Sequence, residues 1–340
     1  MGRPRGRPDR ARVLGVVGTL VWDTIQRRDG REEPFREWGG IGYALEALAT
    51  VLPERWSILP LIKVGRDLSE EAFRFLRGLP GVQVDPGVVV VPEANNRVHL
   101  RYEGQERQAE RLTGGVPPWR WDELRPLAGL CDAIYVNFVS GFEMELETAR
   151  SLRSGFEGPM YADLHSLFLG LGLHGDRIPR PLPRWAEWLR SFDAVQMNEQ
   201  EFGLLGRVRG DPWQLAADVV GPELKLVAVT LGPHGAAYVT AAAFEPDPFS
   251  WSSSRSRMAA PGAARSGKVA PVGPARTEGD PTGCGDVWGA ACFAGLLAGR
   301  SLDEAMSDAN RMAARNVDHR GASGLGTHLA GRVDPHPDRR

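Results

Sequence analysis

Residues 278–299 read EGDPTGCGDVWGAACFAGLLAG, and this stretch decides the fold. A glycine-rich turn leads directly into a run of apolar and small residues, which predicts a buried helix. The backbone N–H groups of Gly283, Cys284 and Gly285 lie where this helix begins. They therefore have no partners within the helix and lie at the positive end of its dipole. Such a helix start favours phosphate, and glycine lets the main chain approach it closely.

Asp286 follows the turn and lies on the first turn of the predicted helix. A carboxylate beside an anion-binding helix start can orient a hydroxyl group and accept its proton, which is what phosphoryl transfer requires of a protein. The alternative is that Asp286 only caps the helix while the glycines form a turn.

Residues 280–286, DPTGCGD, resemble the D-T-x-G-A-G-D motif of the ribokinase-like (PfkB) carbohydrate kinases. Cys284 replaces the alanine that is usual in this family, and the change keeps the backbone donors. The resemblance implies ATP as the phosphate donor, Asp286 as the catalytic base, and Gly283, Cys284 and Gly285 as the anion hole.

A second motif, NEQE at residues 198–201, resembles the N-x-x-E motif of the same family. The resemblance implies that Asn198 and Glu201 hold Mg²⁺ through its water ligands, since Mg²⁺ keeps much of its hydration shell near phosphates. Asn followed by Glu three residues later is also an ordinary helix start, and that alternative stays open.

A third motif, VTLGPHG at residues 229–235, resembles the family's V-T-x-G-x-x-G strand and turn. The resemblance implies that Thr230, Gly232 and Gly235 lie beneath the nucleotide. It also implies that Asn310, on a later helix rich in small residues, lies beside the adenine. The motifs occur in the order expected for such a kinase.

The amino-terminal part resembles the family's sugar-recognition elements at Asp23 and at the pair Gly39 and Gly40. A carboxylate at the end of a strand can accept hydrogen bonds from sugar hydroxyls, or it can cap a turn. The sequence departs from the family at Ala44, where an Asn is usual, and at residues 163–167, DLHSL, which keep only the Asp of D-P-N-x-R. His165 could contact the substrate, but a histidine in a loop more often satisfies local hydrogen bonds.

Short β-branched runs alternate with helical segments along the chain, which predicts an α/β fold with a doubly wound, mostly parallel sheet flanked by helices. We predict a basic flexible tail over residues 1–12, one kinase domain over 13–326 and a carboxyl-terminal tail over 327–340. Residues 13–21 read as the first strand. A small β lid is expected near 32–38 and 82–112, and a flexible insertion rich in Ser, Pro and Gly near 247–277.

The 340 residues carry a formal net charge of −2 and only three cysteines. We therefore expect no nucleic-acid partner, no membrane span, no disulfide framework and a cytoplasmic location. A sugar-like small molecule is the expected partner, and the lid strands could pair two chains into a homodimer.

Three other functions are alternatives to a sugar kinase. A nucleoside or vitamin-precursor kinase would use the same phosphate machinery with a different acceptor. A ligand-binding protein without activity would fit the altered sugar contacts, although Asp286 argues against it. A dinucleotide-dependent oxidoreductase is disfavoured because no G-x-G-x-x-G follows the first strand.

Overall fold

The computed structural model describes residues 10–27, 33–103, 106–252, 263–273 and 279–332. Within these ranges the main sheet has nine strands. Their order is β15 (Arg265–Val269), β14 (Ala236–Thr240), β13 (Leu226–Thr230), β12 (Ala194–Asn198), β9 (Met160–Asp163), β8 (Ala133–Asn137), β1 (Arg12–Val17), β4 (Trp56–Gly65) and β5 (Val88–Val91). The strands from β13 to β5 are parallel, and β14 pairs antiparallel with both of its neighbours, β13 and β15. The predicted fold class is confirmed.

Helices cover both faces of this sheet, because side chains of successive strand residues point to opposite faces. In β8, Ala133 and Tyr135 belong to one hydrophobic cluster, and Ile134 and Val136 belong to the other. The first cluster includes residues of α1 (Ile41–Val51), α2 (Ser69–Arg77), α8 (Cys284–Leu297), α9 (Leu302–Asn316) and α10 (Leu325–Leu329). The second includes residues of α3 (Trp121–Ala128), α4 (Leu146–Gly155), α5 (Trp185–Arg190), α6 (Glu199–Arg209) and α7 (Pro212–Val219). In the part of the chain described, no helix is long and apolar enough to cross a membrane.

A separate four-stranded sheet forms the lid. Its order is β3 (Phe35–Gly40), β2 (Leu20–Arg27), β6 (Arg97–Glu103) and β7 (Glu106–Thr113). A hairpin of β10 (Leu169–Leu171) and β11 (Arg177–Pro179) contacts β7 through a bridge between Asp176 and Arg111. The four lid strands therefore come from two separate parts of the sequence, within residues 20–40 and 97–113, and the hairpin adds a contact from a third part.

Two predictions about the strands near the lid were wrong. The run GVVVV was assigned to the lid, but Val88–Val91 pairs in parallel with β4 at the edge of the main sheet. The predicted first strand over 13–21 is two strands, because the chain leaves the main sheet after Val17 and enters the lid at Leu20. Asp23 consequently lies within a lid strand rather than at the end of a core strand.

The predicted insertion and tails also differ from the structure. Residues 265–269 of the 247–277 segment pair with β14, because edge pairing relies on backbone hydrogen bonds and needs few apolar side chains. Trp251 is buried and donates to the Glu245 carbonyl at 2.8 Å. Of the predicted carboxyl-terminal tail, His328 and Leu329 are buried in α10. Residues 1–9, 253–262, 274–278 and 333–340 lie outside the described residues.

Candidate active site

Polar side chains stand at the carboxyl ends of four neighbouring parallel strands: Asn137 on β8, Asp163 on β9, Asn198 on β12 and Thr230 on β13. The register sets Asn137 beside Asp163 and Asn198 beside Thr230. This edge of a parallel sheet is where α/β proteins bind ligands. Strand order therefore gathers residues that lie far apart in the sequence.

The turn before α8 is fixed by hydrogen bonds within the turn and from α9. Thr282 N–H donates to Asp280 Oδ1 at 2.9 Å, and the Asn316 amide donates to the Thr282 carbonyl at 2.8 Å. Gly283 is left-handed with φ 77°, and a Cβ there would lie 2.3 Å from the Tyr43 ring. Both facts require glycine at this position.

Cys284 corrects one part of the predicted anion hole. Its N–H donates to the Pro281 carbonyl at 3.2 Å, so the prediction that this N–H is unpaired was wrong. Burial raises the pKa of the Cys284 thiol to about 12 despite the hydrogen bond that Asn316 donates to its sulfur. The thiol is therefore protonated at neutral pH and unreactive.

Asp286 is held by Asn137, whose side-chain amide donates to Asp286 Oδ1 at 2.6 Å. Removal of the carboxylate from bulk water raises the pKa of Asp286 to about 6, with the nearby Asp163 adding to the rise. His165 and the hydrogen bond from Asn137 oppose it. A carboxyl group that titrates close to neutral pH suits a general base.

Gln196 links the sheet to the start of α8. Its side-chain amide donates to Asp163 Oδ2 at 3.1 Å and to the Gly285 carbonyl at 3.0 Å, while the Tyr161 hydroxyl donates to its oxygen at 3.2 Å. A Cβ at Gly289 would lie 2.2 Å from that oxygen, so the glycine makes room for Gln196.

The sequence analysis did not identify Asn137 and Gln196 as site residues. Each is a buried polar residue in a strand whose other buried residues are apolar, AIYVN for Asn137 and AVQMN for Gln196. That pattern was the available signal, because a buried polar side chain needs a partner.

A first cavity of about 310 Å³ lies between the lid and the carboxyl ends of these strands. It brings together most of the predicted site residues, namely Asp23, Gly40, Asn198, Glu201, Thr230, Gly283, Gly285 and Asp286. Gly39 is not among its lining residues; a Cβ there would lie 1.7 Å from Asp23 Oδ2, so Gly39 leaves space for the Asp23 carboxylate. Gly40 is left-handed with φ 60°.

A second cavity of about 270 Å³ adjoins the first and shares Thr230, Pro281 and Gly285 with it. The other predicted nucleotide residues, Gly232, Gly235 and Asn310, line it together with Cys284 and apolar side chains of α9. Asn310 accepts a hydrogen bond from Trp288 Nε1 at 2.7 Å and donates to the Ala270 carbonyl at 2.9 Å. It therefore holds one wall of this cavity in place.

Asn198 and Glu201 form a reciprocal cap at the start of α6. Glu201 N–H donates to Asn198 Oδ1 at 2.9 Å, and Glu201 Oε2 accepts from Asn198 N–H at 2.8 Å. The capping alternative is therefore present in the structure, while both side chains also line the first cavity. Hard oxygen donors of this kind suit Mg²⁺ held through its water ligands.

Comparison with known proteins gives a family match and a set of similar structures. Residues 176–327 match the pfkB family carbohydrate kinase description. The match begins at the lid-contacting hairpin and includes the cap of α6, the Thr230 turn and the start of α8. The chain has the ribokinase-like fold of the PfkB kinases. The resemblance that the motifs predicted is thereby confirmed.

Solved structures agree with this fold over nearly the whole chain. Ribokinase from Thermotoga maritima has a TM-score of 0.66 and 16% identity, covering 94% of this chain and 98% of its own. Adenosine kinase from Sinorhizobium meliloti has a TM-score of 0.67 and 17% identity, and the match covers 95% of this chain and 100% of that kinase. The nucleoside kinase of Burkholderia thailandensis, in complex with inosine, has a TM-score of 0.65 and 16% identity, and the match covers 94% of this chain and 97% of that kinase. Curated proteins give no match to the sequence.

Proposed function

We propose that this protein is a kinase that transfers the γ-phosphoryl group of ATP to a hydroxyl group of a sugar or sugar-like small molecule. The observation that carries the proposal is the position of Asp286, which lines the first cavity one residue beyond the point, Gly285, where the two cavities meet. A base at the junction of an acceptor cavity and a nucleotide cavity is the arrangement that phosphoryl transfer needs.

In this mechanism the acceptor occupies the first cavity and the nucleotide occupies the second. The Asp23 carboxylate accepts hydrogen bonds from acceptor hydroxyls, and the apolar slot beside Asn310 receives the adenine. Asp286 accepts the proton of the attacking hydroxyl as its oxygen bonds to the γ-phosphorus. The N–H groups of Gly283 and Gly285 stabilise the charge on the phosphate oxygens.

Mg²⁺ is the expected cofactor, and the oxygen atoms of Asn198, Glu201 and Thr230 at the cavity wall fit a hydrated ion of this kind. When bound, Mg²⁺ neutralises charge on the phosphates of the nucleotide. Asn198 and Glu201 would hold it through its water ligands, and they also cap α6.

The acceptor is expected to carry no negative charge. Five carboxylates line the first cavity, those of Asp23, Glu110, Asp163, Glu201 and Asp286. An acidic acceptor would be repelled by these like charges, and its own carboxylate would lose its hydration on binding, which disfavours sugar acids. A nucleoside is the second candidate acceptor, because the lid contributes the apolar side chains of Val98 and Leu100 to the cavity wall.

The test is a coupled ADP-release assay with Mg²⁺-ATP over a panel of pentoses, hexoses, sugar acids and nucleosides. Asp286→Ala should lose turnover by a factor of roughly 10³ or more and still bind ATP. Asp122→Asn is the matched control, because that carboxylate is 69% exposed on α3, away from both cavities. ATP binding without turnover of any acceptor would favour a ligand-binding protein, and full turnover by Asp286→Ala would exclude Asp286 as the base.

The homodimer expected through the lid stays a prediction. The bridge from Asp176 to Arg111 lies against β7, so pairing between two chains would have to use the outer edge of β3 at the other side of the lid. Light scattering would give the mass in solution. A Pro substitution at Arg36, which lies in β3, should turn a dimer of this type into a monomer.

A further inference from the structure

The first cavity combines many negative charges with very little positive charge. Against its five carboxylates, His165 is the one side chain among the described lining residues that can carry a positive charge. The transferring phosphoryl group brings further negative charge into this space. The side chains of the first cavity therefore offer little positive charge to stabilise the transferring group.

His165 lies where that charge is needed. It follows Asp163 at the carboxyl end of β9 and begins a short helical turn over His165–Phe168. Its ring is 29% exposed, and Nδ1 lies 3.4 Å from Asp163 Oδ1. A ring nitrogen of His165 and one carboxylate oxygen each of Asp163 and Asp286 lie within 4.8 Å of one another. The imidazole thus lies close to both a buried carboxylate and the candidate base.

We propose that His165 is a further catalytic residue, an imidazolium that keeps Asp286 ionised and contacts the phosphoryl group during transfer. This proposal rests on the proposed kinase function. The acceptor hydroxyl gives its proton to Asp286, its oxygen forms the new bond to phosphorus, and the bond from phosphorus to the leaving oxygen of ADP breaks. His165 keeps its proton throughout and acts through its charge and its N–H groups.

The surrounding charges support a protonated ring. Burial lowers the pKa of His165, but Asp163, through charge and hydrogen bonding, together with Asp286 and Glu201, raises it to about 10. In return, His165 lowers the pKa of Asp286, against burial and Asp163, which raise it. These three carboxylates come from the end of β9 and the first turns of α8 and α6, the elements that surround the ring.

A purely local role for His165 would also be consistent with its loop position, since its backbone N–H donates to Asp163 Oδ1 at 3.2 Å. That bond belongs to the main chain and survives any side-chain substitution. The side chain can therefore be changed without removing the backbone contact that fixes the turn. Its ionic contribution is separable by experiment from the geometry of the loop.

The charge can be measured without any acceptor. In the full chain, ¹⁵N imidazole NMR resolves the seven histidines, and the spectrum of His165→Gln identifies the signal of residue 165. We expect that ring to stay protonated at pH 8, well above the pH at which an unperturbed imidazole loses its proton. A neutral His165 ring at pH 8 would overturn the proposal.

Turnover tests the catalytic part. His165→Gln should lower kcat by about 100-fold with the KM for ATP little changed, and the acid limb of the kcat/KM profile should move to higher pH. His165→Lys, which restores a positive charge, should recover part of the loss, and His174→Gln should match the wild type. A wild-type kcat and an unmoved acid limb in His165→Gln would refute the role of His165 but leave the kinase function intact. A wild type without turnover for any acceptor would instead contradict the kinase function.

Discussion

Gly285→Ala separates a functional glycine from a structural one. An added Cβ at Gly285 would meet no heavy atom within 4 Å, and the residue is not left-handed. It is the second residue of α8, where alanine is a better helix former than glycine. The substitution should therefore leave the fold intact and stabilise it by about 0.5 kcal/mol.

The expected cost falls on activity. Gly285 lines both cavities, so the new methyl group would occupy space at the point where, in the proposed mechanism, the γ-phosphate lies between them. A displacement of about 1 Å at the reacting atoms costs roughly 100-fold in rate, which corresponds to about 2.7 kcal/mol of transition-state stabilisation. The variant should show a loss of kcat/KM of at least that size.

The assay combines ADP release with thermal unfolding. Gly203→Ala is the matched control, because Gly203 lies in α6 and an added Cβ there also meets nothing within 4 Å. It should gain a similar small stability and keep full turnover. Gly289→Ala should instead lose stability, since its methyl group would collide with the Gln196 side chain at 2.2 Å. Turnover by Gly285→Ala within threefold of the wild type would refute the assignment of the phosphate path.

Three further predictions follow from the site. Because burial raises the pKa of Asp286 to about 6 and the base acts in its ionised form, kcat/KM should fall as the pH drops below about 6; a profile flat to pH 5 would exclude this group. Asn198→Ala removes the cap of α6, so it should cost about 1 kcal/mol of stability, and it should also raise the Mg²⁺ concentration needed for the half-maximal rate. Asn198→Asp should keep the cap. A loss of stability in Asn198→Ala with no change in the Mg²⁺ requirement would assign Asn198 to capping alone. Asn310→Ala leaves Trp288 Nε1 without its acceptor, so it should cost about 1–3 kcal/mol of stability. It should also raise the KM for ATP more than it lowers kcat. An unchanged KM for ATP would show that Asn310 is not part of the nucleotide site.

The sequence by itself determined the elements whose signal is local. The glycine turn and small-residue helix at 278–299, the Asn198 cap and the Thr230 turn each occupy a few consecutive residues, so their composition alone predicts their geometry. Alternation of strands and helices likewise predicts a doubly wound sheet, because buried parallel strands need long apolar runs. From these elements the fold and several residues of the first cavity could be predicted.

Tertiary structure alone decided which sheet a strand joins. The sequence pattern predicts that Val88–Val91 and Leu20–Arg27 are strands, but it does not indicate which strand each of them pairs with. β15 is a similar case, because the backbone pairing that holds RSGKV on β14 leaves no apolar pattern to detect.

Tertiary structure also decided the charges of the site. Asn137, Asp163, His165 and Asp286 come from three separate segments of the chain. The protonation of His165 and Asp286 depends on distances that only the packed strand ends and α8 establish. Electrostatic interactions and desolvation act through space, whereas sequence patterns report neighbours along the chain. For that physical reason the sequence pointed to the candidate base, Asp286, whereas only the fold brought together the residues that influence its charge.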